Sequence, residues 1–463
     1  MVHTELMAHQ KLMVDFAKNK KYVAFFAEYG TGKTLTVLKL LDVLKCPKVL
    51  VVSSKTAIQS TWPEEIRKHS NFRFVHLIGN VNQKLNNLVL GLRQVHVTEA
   101  RHNSTAIPII FLVNFDGVKN VYDELAKIKF DYIIVDESTK IKSPKTLRSK
   151  VMWALGRTAK RRCIMTGFPV TENLTEIYSQ IKFLDNGKNF GSSYYHFLNT
   201  YFYRAGFKWK VKTSMEKRIF TSLKPFCIRI TDDVLKLPPK VYNTKIIEPT
   251  IRQRELLNEF KNYFRIELGK VKIDTQYIFT LIGKSLQICD GFLQDDKGNR
   301  EILETAKDEA LIDLIDEIDP QKHKIVIWAI FRFSIYKIKK IVESLGYNAL
   351  TLTGATPNVD SVIKKFQNSK KYPILIATQK KAAESITLTA CKHAIYYSNT
   401  WSYDLRVNSE ARIRRKGSEK HDSIFYTDII LKDSVEDLVY KCLRDKKNLV
   451  DTLKKNFKTI ISK

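Results

Sequence analysis

Cysteine is scarce and scattered in this chain. The six thiols, Cys46, Cys163, Cys227, Cys289, Cys391 and Cys442, include no Cys-x-x-Cys pair, which argues against a zinc site and for reduced, mostly buried thiols in a cytosolic protein. The ten histidines show no His-Glu-x-x-His or comparable ligand spacing, so they read as ordinary structural or surface residues. Long apolar runs are absent as well: stretches such as Ile325 to Phe331 fall far short of a membrane span. The start, Met-Val-His-Thr-Glu, lacks the charged-then-apolar layout of a secretory signal. Acidic residues are the last deficit. Against 78 Lys plus Arg stand 48 Asp plus Glu, a formal charge of +30; such a field favours a polyanion, above all nucleic acid, and predicts binding that weakens steeply as salt rises. With 463 residues the chain exceeds one ordinary core, so two or three domains are expected.

What is present is organised around Ala27-Glu28-Tyr29-Gly30-Thr31-Gly32-Lys33-Thr34. This stretch follows the apolar run Tyr22 to Phe26 and opens a helix-like segment, Leu35 to Leu44. A strand that turns through glycines into a helix leaves backbone N–H groups facing one concavity, where phosphate oxygens can be held. Glu28, Gly30, Thr31 and Gly32 form the cradle; Lys33 can reach the β- and γ-phosphates of ATP and Thr34 can offer its hydroxyl to Mg²⁺. Ala27 stands where the usual pattern has its first glycine. Upstream, Gln10 carries both a donor and an acceptor and is a candidate reader of the adenine edge.

The next strand-like run, Lys48 to Val52, ends in Ser53, Ser54 and Lys55. Hydroxyls and a lysine at the carboxyl end of a buried parallel strand are candidate contacts to a DNA phosphate backbone. Further on comes Phe130-Asp131-Tyr132-Ile133-Ile134-Val135-Asp136-Glu137-Ser138, a strand-like run that closes on Asp136 and Glu137. Two acids that close a buried strand suit Mg²⁺ coordination by Asp136 and orientation or deprotonation of an attacking water by Glu137. A basic run follows, Lys140, Lys142, Lys145, Arg148 and Lys150 with Lys160, Arg161 and Arg162 close behind, and it adds a candidate nucleic-acid surface. Then Cys163-Ile164-Met165-Thr166-Gly167-Phe168-Pro169 reads as another strand ending in a hydroxyl and a glycine. The aromatic stretch Tyr194 to Tyr203 reads as helical packing.

In this order the motifs resemble the SNF2-like branch of superfamily 2 helicases and translocases. Glu28 to Thr34 looks like the family's phosphate loop, Asp136-Glu137-Ser138-Thr139 like its Asp-Glu-Ala-His, and Met165 to Pro169 like its Leu-Thr-Gly-Thr-Pro. Pro225 to Ile230 with Asp232-Asp233-Val234 and Leu237-Pro238-Pro239-Lys240 is similar to the segment that crosses between the family's lobes. Thr378 to Thr389 occupies the place of a DNA-contacting segment; Ala382, Ala383 and Ser385 replace its glycines, Thr389 is kept, and Lys380 and Lys381 can compensate with charge. Arg412-Ile413-Arg414-Arg415-Lys416-Gly417 resembles Arg-x-x-Arg-x-Gly. Arginine's planar, always-charged fork suits a phosphoryl group gaining charge, so Arg415 is the candidate finger and Arg412 its γ-phosphate-sensing neighbour.

The resemblance implies an α/β fold of two tandem RecA-like domains with parallel sheets and a helical insertion between them. The expected division is lobe 1 over residues 1–190, the insertion and crossover over 191–300, and lobe 2 with a C-terminal helix over 301–463. It also implies ATP and Mg²⁺ as cofactors and hydrolysis in a cleft between the lobes, coupled to movement on duplex, forked or branched DNA; Thr166 joins the DNA-contacting set. The expected setting is a monomer of phage or bacterial type, such as a phage branch-migration helicase, in the cytoplasm of a bacterial or infected cell, with replication or recombination proteins as partners and no membrane. Two other readings stay open: a nucleotide-switched clamp that binds DNA without moving, and the motor subunit of a restriction or repair complex.

Overall fold

Runs of Val, Ile, Leu and Phe with no polar alternation call for strands covered on both faces. In the computed structural model, which describes residues 1–101, 107–170, 173–206, 208–268, 275–382 and 386–445, they form two wholly parallel sheets. The first contains β1 (Tyr22–Ala27), β2 (Lys48–Ser53), β3 (Arg73–His76), β4 (Ile109–Asn114), β5 (Tyr132–Asp136), β6 (Arg161–Thr166) and β7 (Cys227–Ile230). Its order is β3-β4-β2-β5-β6-β1-β7. The chain therefore leaves β1, skips two strand positions to lay down β2, and later fills the gap with β5 and β6. Successive side chains of β1 enter opposite cores: Ala24 and Phe26 pack in one, Val23 and Phe25 in the other.

The second sheet is built from β8 (Lys240–Ile247), β9 (Lys324–Ala329), β10 (Ala349–Leu352), β11 (Ile374–Thr378), β12 (Cys391–Tyr396) and β13 (Ile424–Leu431). Its order is β8-β13-β12-β9-β11-β10. Here too the central strands are mostly buried, their amino-terminal residues Lys324, Lys392 and His393 being half-buried, and helices cover both faces. The chain forms two compact units, one from Met1 to Leu235 and one beginning at Lys236.

Helical material precedes the last strand of the first sheet and follows the first strand of the second. Helices Tyr194–Tyr201 and Met215–Leu223 belong to the first unit, Ile251–Leu268 and Thr275–Cys289 to the second. The aromatic stretch does pack: Phe197 lies within ring-contact distance of Tyr178, Phe190, Tyr201 and Phe202. After β13 a helix covers 435–445, and the rest of the expected C-terminal helix lies outside the described residues. Among the described residues no helix is long and apolar enough to cross a membrane.

Candidate functional site

In the first unit the candidate residues meet at the carboxyl edge of the sheet, the edge at which open α/β sheets bind ligands. β1 ends at Ala27, and the chain turns through Glu28 to Gly32 into helix α1 (Lys33–Leu44). Gly32 caps that helix at φ +76°, and a Cβ there would lie 2.1 Å from the Gln10 amide nitrogen. Backbone conformation and a close neighbour both demand glycine. Gln10 itself is buried: its Oε1 accepts from Met7 N at 3.0 Å and its Nε2 donates to Thr31 O at 3.2 Å. His9 also reaches Thr31 O, at 2.9 Å. The loop is thus supported from beneath by two side chains of the preceding helix.

Lys33 folds over its own loop. Its ammonium donates to Ala27 O at 2.7 Å and Glu28 O at 3.3 Å and lies 5.2 Å from the centre of the Tyr29 ring. Burial pushes its pKa below the usual lysine value, while Glu137 and Asp136 pull in the other direction. Those two acids belong to a different strand, so the electrostatics already link the loop to the end of β5.

At that end Asp136 is held in a fixed orientation. Its Oδ2 accepts from Ser53 Oγ at 3.1 Å and from the indole N–H of the fully buried Trp62 at 3.0 Å, and its Oδ1 accepts from Glu137 N at 3.0 Å. Glu137 adopts φ 54°, ψ 55°, a left-handed conformation that is uncommon outside glycine and recurs where strain positions a functional group. Ser138, fully buried, donates to Gln180 Oε1 at 2.7 Å, and Gln180 donates in turn to Pro169 O at 2.6 Å. A buried relay therefore joins the acid-bearing strand end to the Thr166–Pro169 turn.

A second link reaches the same turn from the phosphate loop. Arg229, on the edge strand β7 beside β1, pairs with Glu28 at 2.9 Å and donates to Gly167 O at 2.7 Å, and all but a few per cent of both charged side chains is buried. Its guanidinium also sits 5.4 Å from the Phe168 ring centre. Sequence reading missed Arg229 and Trp62 as site residues. Their only signals were a charge within an apolar run, Cys227 to Ile230, and a tryptophan opening an otherwise polar helix.

Three residues expected to face DNA are placed otherwise. Ser53 is fully buried beneath Asp136. Thr166 is buried and accepts from Phe168 N at 3.3 Å, closing its own turn. Thr389 is buried 3.4 Å from the Gln367 amide nitrogen. A hydroxyl enclosed and hydrogen-bonded in this way serves the fold rather than an external phosphate. Ser54 caps its own turn by accepting from Ala57 N at 3.2 Å, whereas Lys55 is exposed. Much of the basic run after Glu137 is also internally engaged: Lys142 with Glu176, Arg148 with Asp116, Lys160 with Asp131, and Arg162 with Asn186.

The second unit presents its own carboxyl edge. There Arg332, Gly354, Lys380, Lys381 and Thr400 line a recess of about 440 Å³. Gln379, next to the two lysines, is tied to Asn399 and to Thr400 N at 3.1 and 3.0 Å. Of the replaced glycine positions, Ala383 and Ser385 lie outside the described residues. Arg412 and Arg415 flank the end of the helix Tyr403–Ile413. Arg412 is buried and reaches Asn408 at 3.5 Å; Arg415 is half-buried and donates to Ile386 O at 3.2 Å. Their helix is anchored below by Arg406, which grips both carboxylate oxygens of Asp428, contacts Glu410 at 2.9 Å and stacks 3.5 Å from the Tyr396 ring centre.

Two family models match the chain. The family model of the SNF2-related domain matches residues 9–292, and that of the helicase conserved C-terminal domain matches 306–417. An uncharacterized ATP-dependent helicase of Mycoplasma pneumoniae is 25% identical over 442 residues, covering 91% of this chain and 39% of that protein. Putative protein p41 of Acyrthosiphon pisum secondary endosymbiont phage 1 is 23% identical over 475 residues, covering 96% of this chain and 97% of that protein. The chain therefore spans well under half the length of the Mycoplasma relative but nearly all of the phage one. Among solved structures, the Sulfolobus solfataricus SWI2/SNF2 ATPase core in complex with dsDNA aligns over 100% of this chain and 94% of that one, at 21% identity and a TM-score of 0.44. Since the SNF2-related model alone takes in more than half of its residues, this chain belongs to the SNF2-related family of superfamily 2 helicases and translocases.

Proposed function

We propose that the chain is a DNA-dependent ATPase motor that translocates on duplex, forked or branched DNA and remodels or unwinds it. One observation carries the reading: a left-handed glycine loop with Lys33 and an Asp136 carboxylate locked by Ser53 and Trp62 share one edge of one sheet. The donor chemistry fits ATP, because the helix start and Lys33 supply the N–H groups and positive charge that a polyphosphate needs. It also fits Mg²⁺. Among the described residues no group of three or more His, Cys, Asp or Glu can hold a metal, but Mg²⁺ is ordinarily taken by one or two carboxylates together with substrate phosphates, and Asp136 with Thr34 is such a set. When bound, the ion would neutralise charge on the phosphates.

In this reading Glu28, Gly30, Thr31, Gly32 and Lys33 cradle the triphosphate, Gln10 reads the base with the second N–H and second lone pair that its amide keeps beyond its bonds to Thr31 and Met7, Glu137 orients or deprotonates water, and Arg412 and Arg415 meet the charge that develops on the γ-phosphoryl. Ser54, Lys55, Lys380 and Lys381 are the proposed DNA contacts. The excess of basic over acidic residues and the phage relative support a nucleic-acid substrate and a bacterial or phage-infected cytoplasm. Branched intermediates of recombination, repair or replication are the proposed setting, with the chain acting as a monomer. The test is ATP turnover with duplex, forked and single-stranded DNA; stimulation by none of them would end the proposal. ATP-dependent displacement of a third strand from a triplex separates a motor from a nucleotide-switched clamp, which would hydrolyse slowly and displace nothing.

A further inference from the structure

The second unit carries another basic cluster, at the end of its sheet opposite the Lys380–Lys381 recess. A recess of about 310 Å³ opens at the amino-terminal ends of β9, β11, β12 and β13, lined by Lys322, Lys324, Lys370, Lys392, Lys420 and His421 among others. β9 places the two clusters at opposite ends of one strand: Lys324 begins it, and Ile330, just past its last residue Ala329, lines the other recess. Six residues of strand correspond to a separation on the order of 17 Å. With a whole sheet between them, a straight nucleic-acid segment lying on the carboxyl edge does not reach the amino edge.

The cluster is poorly neutralised. Lys322 pairs with Asp319 at 2.9 Å. No carboxylate of the described residues lies within ion-pair distance of Lys370, Lys392 or Lys420 in this structure, although Glu419, beside Lys420, caps Gly417 N. Lys324 is pinned by the carbonyls of Phe366 and Ser369, and Lys392 sits 5.6 Å from the Phe425 ring centre. The like charges act on one another. Burial, then the neighbouring Lys420 and Lys392, press the His421 pKa below its usual value against the Thr389 carbonyl that it contacts. Lys324 is lowered by burial and by Lys420 as well, with Cys391 opposing. Such a concentration of cations with ammonium groups rather than planar forks suits phosphodiester oxygens without base specificity.

We infer that this recess is a second nucleic-acid site, holding the phosphate backbone of a segment other than the one on the carboxyl edge. The inference rests on the reading of the chain as a DNA-acting protein, and it equips the chain to hold two arms of a branched substrate. The test uses the full chain without nucleotide, so it does not depend on ATP hydrolysis. An immobilised duplex is loaded with protein and challenged with a labelled second duplex. Wild type retains the second duplex. Lys370→Glu/Lys420→Glu, which alters only exposed positions, should keep its affinity for a single short duplex within about twofold, yet lose at least tenfold in retention of the second. Its salt slope for forked DNA should fall by about 1.8, at roughly 0.9 per phosphate contact. Adding Lys392→Gln should deepen the loss, with a melting curve checking that the fold survives.

Failure of wild type to retain a second duplex, retention unaffected in the variant, or parallel loss of both binding events would each overturn the inference. So would inorganic phosphate binding in the recess, seen as variant-sensitive shifts of the His421 ring signals, without displacing the second duplex; the ligand would then be a small anion. An ATPase that responds to DNA but bridges nothing sinks this inference alone. A bridging chain that never hydrolyses ATP sinks the motor reading alone.

Discussion

In the first unit, β1 passes through Glu28 to Gly32 into its helix with two glycines at positive φ; in the second, β9 passes through Ile330 and Phe331 into the helix Arg332–Ser344 with none. Both are parallel strands feeding helices, and both sheets expose a carboxyl edge. The first edge turns through left-handed backbone at Gly30 and Gly32, and there Lys33 lies within the electrostatic reach of the strand-end acids Asp136 and Glu137. The second unit instead carries its candidate catalytic cations at the end of a helix whose base is locked by Arg406, Asp428 and Glu410. The same scaffold thus presents two kinds of support for the proposed chemistry. A phosphate cradle requires left-handed backbone, whereas arginines that meet a developing charge require a firm support.

The sharpest way to break this comparison is to remove the arginine at the helix end. Arg415→Ala is expected to retain ATP binding and lose a factor on the order of 10³ to 10⁵ in DNA-stimulated turnover; loss of nucleotide affinity alone would assign it to binding instead. Lys33→Ala should cost about 10² to 10³ in turnover, by analogy with loss of one preorganised donor. Its DNA affinity, measured by filter retention at fixed salt, should stay largely intact because the charge is spread over the chain.

Stability experiments compare the buried ion pairs of the two units. Arg229→Met leaves Glu28 enclosed without its partner, and a cost of about 3–5 kcal/mol is expected in denaturant unfolding, with Glu28→Gln/Arg229→Met recovering part of it. In the second unit the lever is acid. Burial alone would raise the Glu410 carboxyl, but Lys240 and Arg406, with hydrogen bonds from Arg406 and Tyr242, outweigh it and hold it at about 2. A depressed carboxyl stabilises above its unfolded value and loses that stabilisation as pH falls toward 2. Roughly 3 kcal/mol should therefore disappear between about pH 5 and pH 2. Glu410→Gln should flatten this part of the profile in melting curves taken across the range.

The smallest effect tests how Asp136 is aimed. Trp62→Phe keeps the packing ring but deletes the indole donor, and turnover should fall about tenfold, in line with a hydrogen bond to a charged group. Raising Mg²⁺ should recover part of the loss if the carboxylate has only become misoriented. An unchanged rate would show that Ser53 and Glu137 N hold Asp136 without it.

The strands β1, β2, β5 and β6 are legible as apolar runs, and the glycine loop and acid pair as local patterns, because each is a short-range consequence of backbone geometry or of a continuous buried face. Ser53 shows where such reading stops. At a strand's carboxyl end it looked like an outward hydroxyl, yet β2 lies next to β5 and the hydroxyl meets Asp136, 83 residues away in the chain. Thr166 and Thr389 are enclosed for the same reason, since burial belongs to what packs over a residue and not to its type.

Residue order alone determined the charge imbalance, the parallel α/β character and the positions of the phosphate loop, the strand-end acids and the arginine segment. Tertiary structure decided which of them support one another. Arg229 reaches Glu28 across 201 residues because β7 closes the sheet beside β1, and the lysines of the amino-edge recess meet only because four strands begin side by side. In a parallel sheet, neighbours are chosen by crossovers and by the faces that must be buried together, and neither leaves a local mark in the chain.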